Sequence, residues 1–204
     1  MPEKPRRYHH GDLRQGLVDT VLAMVAERGD ASEVTLREVA RRAGVSHNAP
    51  YRHFEDKEAL LAAVATDGFA LLATELRAAR EGVADGEERF VRTGQAYLRF
   101  AREHRGYLAL MHGPDVAKSR TPALQKAAND TFQILKDVAF DARDVEVVEA
   151  RRVGTIAWSF LYGLATLSSN GQIPPSVGAS AETLVEIGAR HMYRAFRIAR
   201  DPSG

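Results

Sequence analysis

"TLREVARRAGVSHNAPYRHFEDKEALL", Thr35 to Leu61, decides how this chain folds. Thr35 stands where a helix N-cap stands, and Glu38, three residues on, completes a capping box. Leu36, Val39, Ala40 and Ala43 recur at helical spacing and predict an inward stripe. Gly44 ends that helix, because glycine tolerates the left-handed turn. Ser46 can cap a second short helix, roughly His47–Phe54, that carries Tyr51 and Phe54. Two short helices joined by Gly44-Val45-Ser46 form a helix-turn-helix, expected over about 35–54. Ala40 is small where the helices approach, and Val45 plugs the corner. The second helix of such a unit enters a major groove N-terminal end first. Pro50 complicates this, since proline inside a helix removes a donor and clashes with the preceding turn. With Ser46 as cap, Pro50 sits at the edge of the first turn and loses at most one bond. It is expected to be an apolar, stiffening contact with the first helix.

The same spacing extends in both directions. Leu13, Leu17, Val21 and Met24/Val25 make one helical stripe, opened by Asp12 with Gln15 and stopped at Gly29. Asp56 can cap a long helix from about Lys57 to Arg80. Further helices are expected to about His104, over Tyr107–His112, from Thr121-Pro122, over Asp144–Ser169 and over about Ala181–Ala199. Val, Ile and Thr rarely alternate, so no strand is expected. The fold class is all-α, about nine helices. An N-terminal helix-turn-helix domain, 10–70, precedes a larger helical domain, 71–204.

Composition sets the outer limits. The 204 residues are 45% hydrophobic and 27% charged, which suits a core-forming soluble chain. With no cysteine, disulfides and thiolate metal sites are excluded. The polar start, "MPEKPRRYHHGD", shows no signal peptide. The most apolar stretch, Thr155–Leu167, is too short to span a bilayer, so no membrane partner and a cytoplasmic location are expected. Net charge is only +1, but between Arg37 and His53 four arginines, Arg37, Arg41, Arg42 and Arg52, face one acid, Glu38. That is either a solvated face or a phosphate-facing surface.

"TLREVARRAGVSHNAPYRHFEDKEALLAAV" closely resembles the DNA-binding region of the TetR (tetracycline-repressor-like) family of bacterial transcription regulators. The Thr before the second helix, "Ala-Gly-Val-Ser", "Tyr-Arg-His-Phe" and "Asp-Lys-Glu-Ala-Leu-Leu" carry the resemblance, which covers Asp12 to about Phe69. "YHHGDLR" and "WSFLYG" resemble a subgroup whose C-terminal domain carries Trp-xxx-His-Gly; Trp158 and Gly163 fit, and Tyr162 stands in place of the histidine. The resemblance implies a homodimer on a palindromic operator in double-stranded DNA, released by a small-molecule effector, with repression the default. Thr35, Tyr51, His53 and Lys57 match backbone-contacting positions. Ser46, His47 and Asn48 lie at the entry of the recognition helix and are candidates for base edges. Arg52 reaches phosphate or a guanine edge. Arg37 belongs to the basic face, and Arg6 and Arg7 suit an arm on the neighbouring backbone or minor groove.

Beyond residue 65 the aromatic residues read first as helical core. A largely apolar pocket with a few polar handles is the sharper expectation. Its candidates are Phe69, Tyr97, Phe100, Tyr107, Met111, His112, Phe132, Trp158 and Tyr162, several of which couple apolar area to a hydrogen-bonding group. The last two long helices carry broad apolar stripes suited to a four-helix dimer contact. Its candidates are Val153, Phe160, Leu164, Leu184, His191, Met192 and Phe196. The rival classes are a helical-bundle enzyme and a protein-binding adaptor with a retained helix-turn-helix. The enzyme lacks its signatures: no Glu-xx-His pair, no His-Glu-xx-His and no phosphate loop. No catalytic residue, metal site or cofactor is expected. Intact Thr35, Tyr51 and Lys57 argue against the adaptor.

Overall fold

The computed structural model describes residues 13–114, 116, 121–139 and 147–198. Among these residues lie eight α-helices, two short 3-10 turns and no strand. The helices are α1 (Leu13–Arg28), α2 (Leu36–Arg42), α3 (Lys57–Arg80), α4 (Gly86–Glu103), α5 (Arg105–Met111), α6 (Pro122–Ala139), α7 (Val147–Ser169) and α8 (Ala181–Ile198). The 3-10 turns are Pro50–Arg52 and Pro175–Val177. Asp12, Arg6 and Arg7, expected as the α1 cap and the N-terminal arm, lie outside the described residues.

The chain divides into two compact units. The first comprises Met1–Gly68 with Gly106–Leu124, the second Phe69–Arg105 with Gln125–Gly204. Against the boundary expected near residue 70, proximity adds α5 to the first unit.

In the first unit α1 buries Leu17, Val21, Met24 and Val25 of the expected stripe and Val18 beside them, while Leu13 is half-buried. Each such side chain contributes roughly 1.5–3 kcal/mol when fully buried. α1 packs on α2, and α2 on the first 3-10 turn. α5 crosses α1 at Gly106, where a Cβ would lie 2.7 Å from the Leu22 carbonyl oxygen. Only glycine permits that approach. α3 starts under Asp56, whose Oδ1 accepts the Ala59 N–H at 2.8 Å. Among the described residues, α3, and not Thr155–Leu167, is the helix long and apolar enough to cross a bilayer by length and composition. Its best 18-residue window has mean hydropathy 1.6, and half of that window is buried in protein. Leu60, Leu61 and Val64 are buried on its first-unit part, and Leu72 and Leu76 on the part that belongs to the second unit.

In the second unit α4 is capped by Asp85, whose Oδ1 accepts the Glu88 N–H at 2.7 Å. Phe90 and Val91 of α4, Val153 and Ala157 of α7 and Ala189 of α8 form one core cluster. Small residues set the spacing. A Cβ on Gly94 would press on Val185 and Leu161, and one on Gly188 would enter the Phe160 ring. Ion pairs tie the start of α4 to α8: Glu87 takes Arg190 at 3.0 Å and Arg194 at 2.8 Å. Hydrogen bonds from Arg194 and then Arg190 hold the Glu87 carboxyl well down, at about 2.

Candidate nucleic-acid interface

Local backbone chemistry builds the helix-turn-helix. Thr35 is extended (φ −133°, ψ 149°), and its Oγ1 accepts the Glu38 N–H at 3.2 Å. The reciprocal half of the expected capping box is absent, because the Glu38 carboxylate is drawn to Arg41 and Arg42. At the other end Gly44 adopts φ +68°. Its N–H bonds the Arg41 carbonyl at 3.3 Å, and the Val45 N–H reaches back to Ala40 at 3.0 Å. This pair of bonds is a Schellman motif, which satisfies the last α2 carbonyls and turns the chain sharply.

The segment beyond this turn is not the α-helix expected over His47–Phe54. The Ala49 N–H bonds Ser46, Arg52 bonds Ala49 and His53 bonds Pro50, all three residues back. Only Phe54, bonding the Pro50 carbonyl at 2.9 Å, closes an α-type ring. Pro50 has no N–H to offer the Ser46 carbonyl, so the turn tightens to 3-10 around it. Pro50 is buried and Phe54 is 5% exposed. Pro50 is therefore an apolar contact that fixes a compact turn. The N-cap of the turn is Ala49, not the expected Ser46, and no side chain caps it.

The residues around this buried pair face solvent. Arg37, Ser46, His47, Asn48, Tyr51, Arg52 and His53 are all exposed, Tyr51 by 51%. His47 Nδ1 lies 3.2 Å from Asn48 Oδ1, and the His47 and Tyr51 rings are 6.1 Å apart. Lys57 donates from Nζ to the Ser32 carbonyl at 3.0 Å, which fixes the ammonium at the start of α3.

The basic patch is smaller than its arginine count. Arg41 makes a two-point contact with Glu38, at 2.8 and 2.7 Å. Arg42 bonds Glu38 at 3.1 Å and Glu27 at 2.6 Å. Hydrogen bonds from Arg41 and Arg42 hold the Glu38 carboxyl at about 2, so the ions stay paired at neutral pH. Arg37 and Arg52 make no ion pair among the described residues and carry the uncompensated charge. The Glu38 pairs were visible as i, i+3 and i, i+4 spacings. Glu27, fifteen residues from Arg42, gave no such signal.

The effector candidates fall in both units. Tyr107, Met111 and His112 belong to the first unit, where Tyr107 and Met111 pack over Gly68. Burial pushes the His112 pKa down to about 4, so it is neutral at pH 7. Phe69, Tyr97, Phe100, Phe132, Trp158 and Tyr162 belong to the second unit. Tyr97 is 1% exposed and Phe100 0%, so both are core side chains. The Trp158 indole donates to the Tyr97 hydroxyl, and its ring lies 6.3 Å from Tyr162. Phe69 and Phe132 are half-buried. None of the nine lines either of two described cavities, one on the surface of the second unit and one in its core.

The dimer candidates divide similarly. Val153 (2% exposed) and Leu164 (8%) are packed inside their own unit, a correction to the stripe read from spacing. Phe160 covers Gly188, while Met192 and Phe196 pack on the core cluster. Leu184 is half-buried and His191 exposed. Among the described residues, the large apolar side chains left exposed on these two helices are Val148, Ile156 and Leu167 of α7 and Ile187 of α8.

Two stretches match family descriptions. Residues 19–64 match "Bacterial regulatory proteins, tetR family", and residues 90–192 match "Tetracyclin repressor-like, C-terminal domain". Among solved structures, the chain is similar to a protein of unknown function from Rhodococcus sp. RHA1, with 32% identity and a TM-score of 0.76 over 93% of this chain and 98% of that one. It shares its fold with the fatty acid degradation regulator FadR from Bacillus halodurans, at 13% identity and a TM-score of 0.69 over 93% and 96%. A TetR family transcription regulator from Marinobacter aquaeolei VT8 is similar at 18% identity and a TM-score of 0.66, over 89% and 94%. The chain therefore belongs to the TetR, or tetracycline-repressor-like, family and is a transcription regulator, not an enzyme.

Proposed function

We propose that the chain is a cytoplasmic, ligand-responsive repressor that binds a palindromic operator as a homodimer. The exposed set around the Pro50 turn carries this reading: Arg37, Ser46, His47, Asn48, Tyr51, Arg52 and His53 stand in solvent while Pro50 and Phe54 anchor the turn beneath them. Arg37 and Arg52 take phosphates, with Thr35 and Lys57 at helix starts where amides and charge favour an anion. His47 and Asn48 read base edges, and Tyr51 and His53 hold the backbone. Arg6 and Arg7 form a second, N-terminal contact.

The second copy sits on the exposed apolar face of α7 and α8, where Ile156, Leu167 and Ile187 join Phe160, Leu184 and His191. Open space above Gly163 permits close helix approach. The effector is small and largely apolar or aromatic, and Phe69, Tyr107, Met111, His112, Phe132, Trp158 and Tyr162 are its candidate contacts. It acts by preferring one of two states of the dimer, since a ligand shifts an equilibrium only through differential affinity. A mobility-shift titration of the full chain against its own upstream DNA tests the reading. A saturable, salt-dependent complex of one dimer per site supports it. A folded monomer with no selective binding would overturn it.

A further inference from the structure

A groove of about 750 Å³ opens on the second unit, bounded by the end of α3, the first turns of α4 and the middle of α6. That volume lies within the usual range for ligand sites, roughly 300–1,000 Å³. Three guanidiniums line it: Arg77, Arg80 and Arg89. Arg80 is half-buried, and its Nη1 donates to the Ile134 carbonyl at 3.2 Å. Burial disfavours its charge most, Asp137 offsets this, and Arg89 and Arg77 disfavour it further. Arg77 and Arg89 make no side-chain hydrogen bond or ion pair among the described residues. Carboxylates are present but mostly engaged. Asp130 is held by Lys126 at 2.6 Å, and Asp137 accepts from Gln133 Nε2 at 2.7 Å. Glu81 alone has no side-chain partner among the described residues.

We propose that this groove is an anion site that takes the carboxylate or phosphate group of a small ligand on Arg77, Arg80 and Arg89. Guanidiniums present paired N–H donors in a fixed fork that matches both oxyanions. Arg77 and Arg89 line the groove with no side-chain partner among the described residues, and of its three carboxylates only Glu81 is likewise unengaged. A bound oxyanion relieves the repulsion around Arg80 and meets Arg77 and Arg89 donors that no side chain among the described residues occupies. None of the nine effector candidates lines the groove, so the site is distinct from an apolar effector pocket. It does not depend on the DNA-binding proposal.

The test is calorimetric titration of the full chain at fixed, low ionic strength, with inorganic phosphate and succinate as probes and sodium chloride as the matched control. Wild-type protein should bind one of the two oxyanions saturably, and the better probe identifies the source chemistry. Arg77→Gln/Arg89→Gln should weaken that binding by about tenfold or more, given two charge-assisted donors lost. Arg99→Gln/Arg151→Gln, which removes two exposed charges of the second unit outside the groove, should leave it unchanged. Should the double variant fail to fold, the exposed single change Arg77→Gln carries the same comparison. Binding no better than chloride, or binding that survives the groove variants, overturns the proposal.

Discussion

The turn after α2 and the outer faces of α7 and α8 hold comparable surface patterns but obey different rules. In the turn, each residue's position follows from its neighbours. Thr35 starts α2, Gly44 ends it, and Pro50 forces a 3-10 geometry, so exposure and burial are decided within a few residues. On α7 and α8 the same apolar alphabet divides between core and surface. Val153 and Ile156 are three residues apart, yet one is 2% exposed and the other 50%. Local chemistry settles the first region, and only tertiary packing settles the second.

The largest expected effect lies in the core of the second unit, at Phe100 of α4. Phe100→Ala should cost about 3–5 kcal/mol in chemical denaturation, as a fully packed aromatic does. A change under about 1 kcal/mol would mean that Phe100 lines open space and returns to the effector candidates. Next, Gly44→Ala probes the first region. No atom lies within 4 Å of the added Cβ, so the loss is a pure backbone effect at φ +68°. It should be about 1–2 kcal/mol, with the fold retained; no loss would show that the Schellman turn is not required.

These two changes mark how far sequence reading reached. Helix number, the caps at Thr35 and Asp56, the stop at Gly44 and the burial of Pro50 were all legible, because each rests on residues within one turn. The length of the recognition element was not, since the missing Pro50 donor shortened it more than its capping suggested. The basic patch was overcounted because Glu27 reaches Arg42 across space. The dimer stripe mixed core with surface, because periodicity gives a face and not its neighbour. Spacing alone likewise could not separate Tyr97 and Phe100 from a pocket lining.

Two smaller effects refine the comparison. His112 has a folded pKa near 4 against about 6.5 in an unfolded chain. Between these values the unfolded chain takes up a proton that the folded chain does not. Its contribution is therefore intact above pH 6.5 and declines as pH falls towards 4. Melting curves at pH 6.5 and 5 should separate less for His112→Gln than for wild type; equal separation would remove His112 as the cause. Smallest in stability is Tyr51→Ala, which should stay within about 0.5 kcal/mol of wild type while weakening DNA binding to specific and random sites alike. Loss of stability beyond that would make Tyr51 a packing residue.

The central claim is that a short, proline-fixed turn reads DNA through His47 and Asn48. Selection of binding sequences from randomised duplex DNA, run in parallel on the wild-type chain and Asn48→Ala, tests it most directly. The account predicts a palindromic wild-type site and an Asn48→Ala site changed at one symmetric pair of positions. An identical preference from both proteins would contradict it.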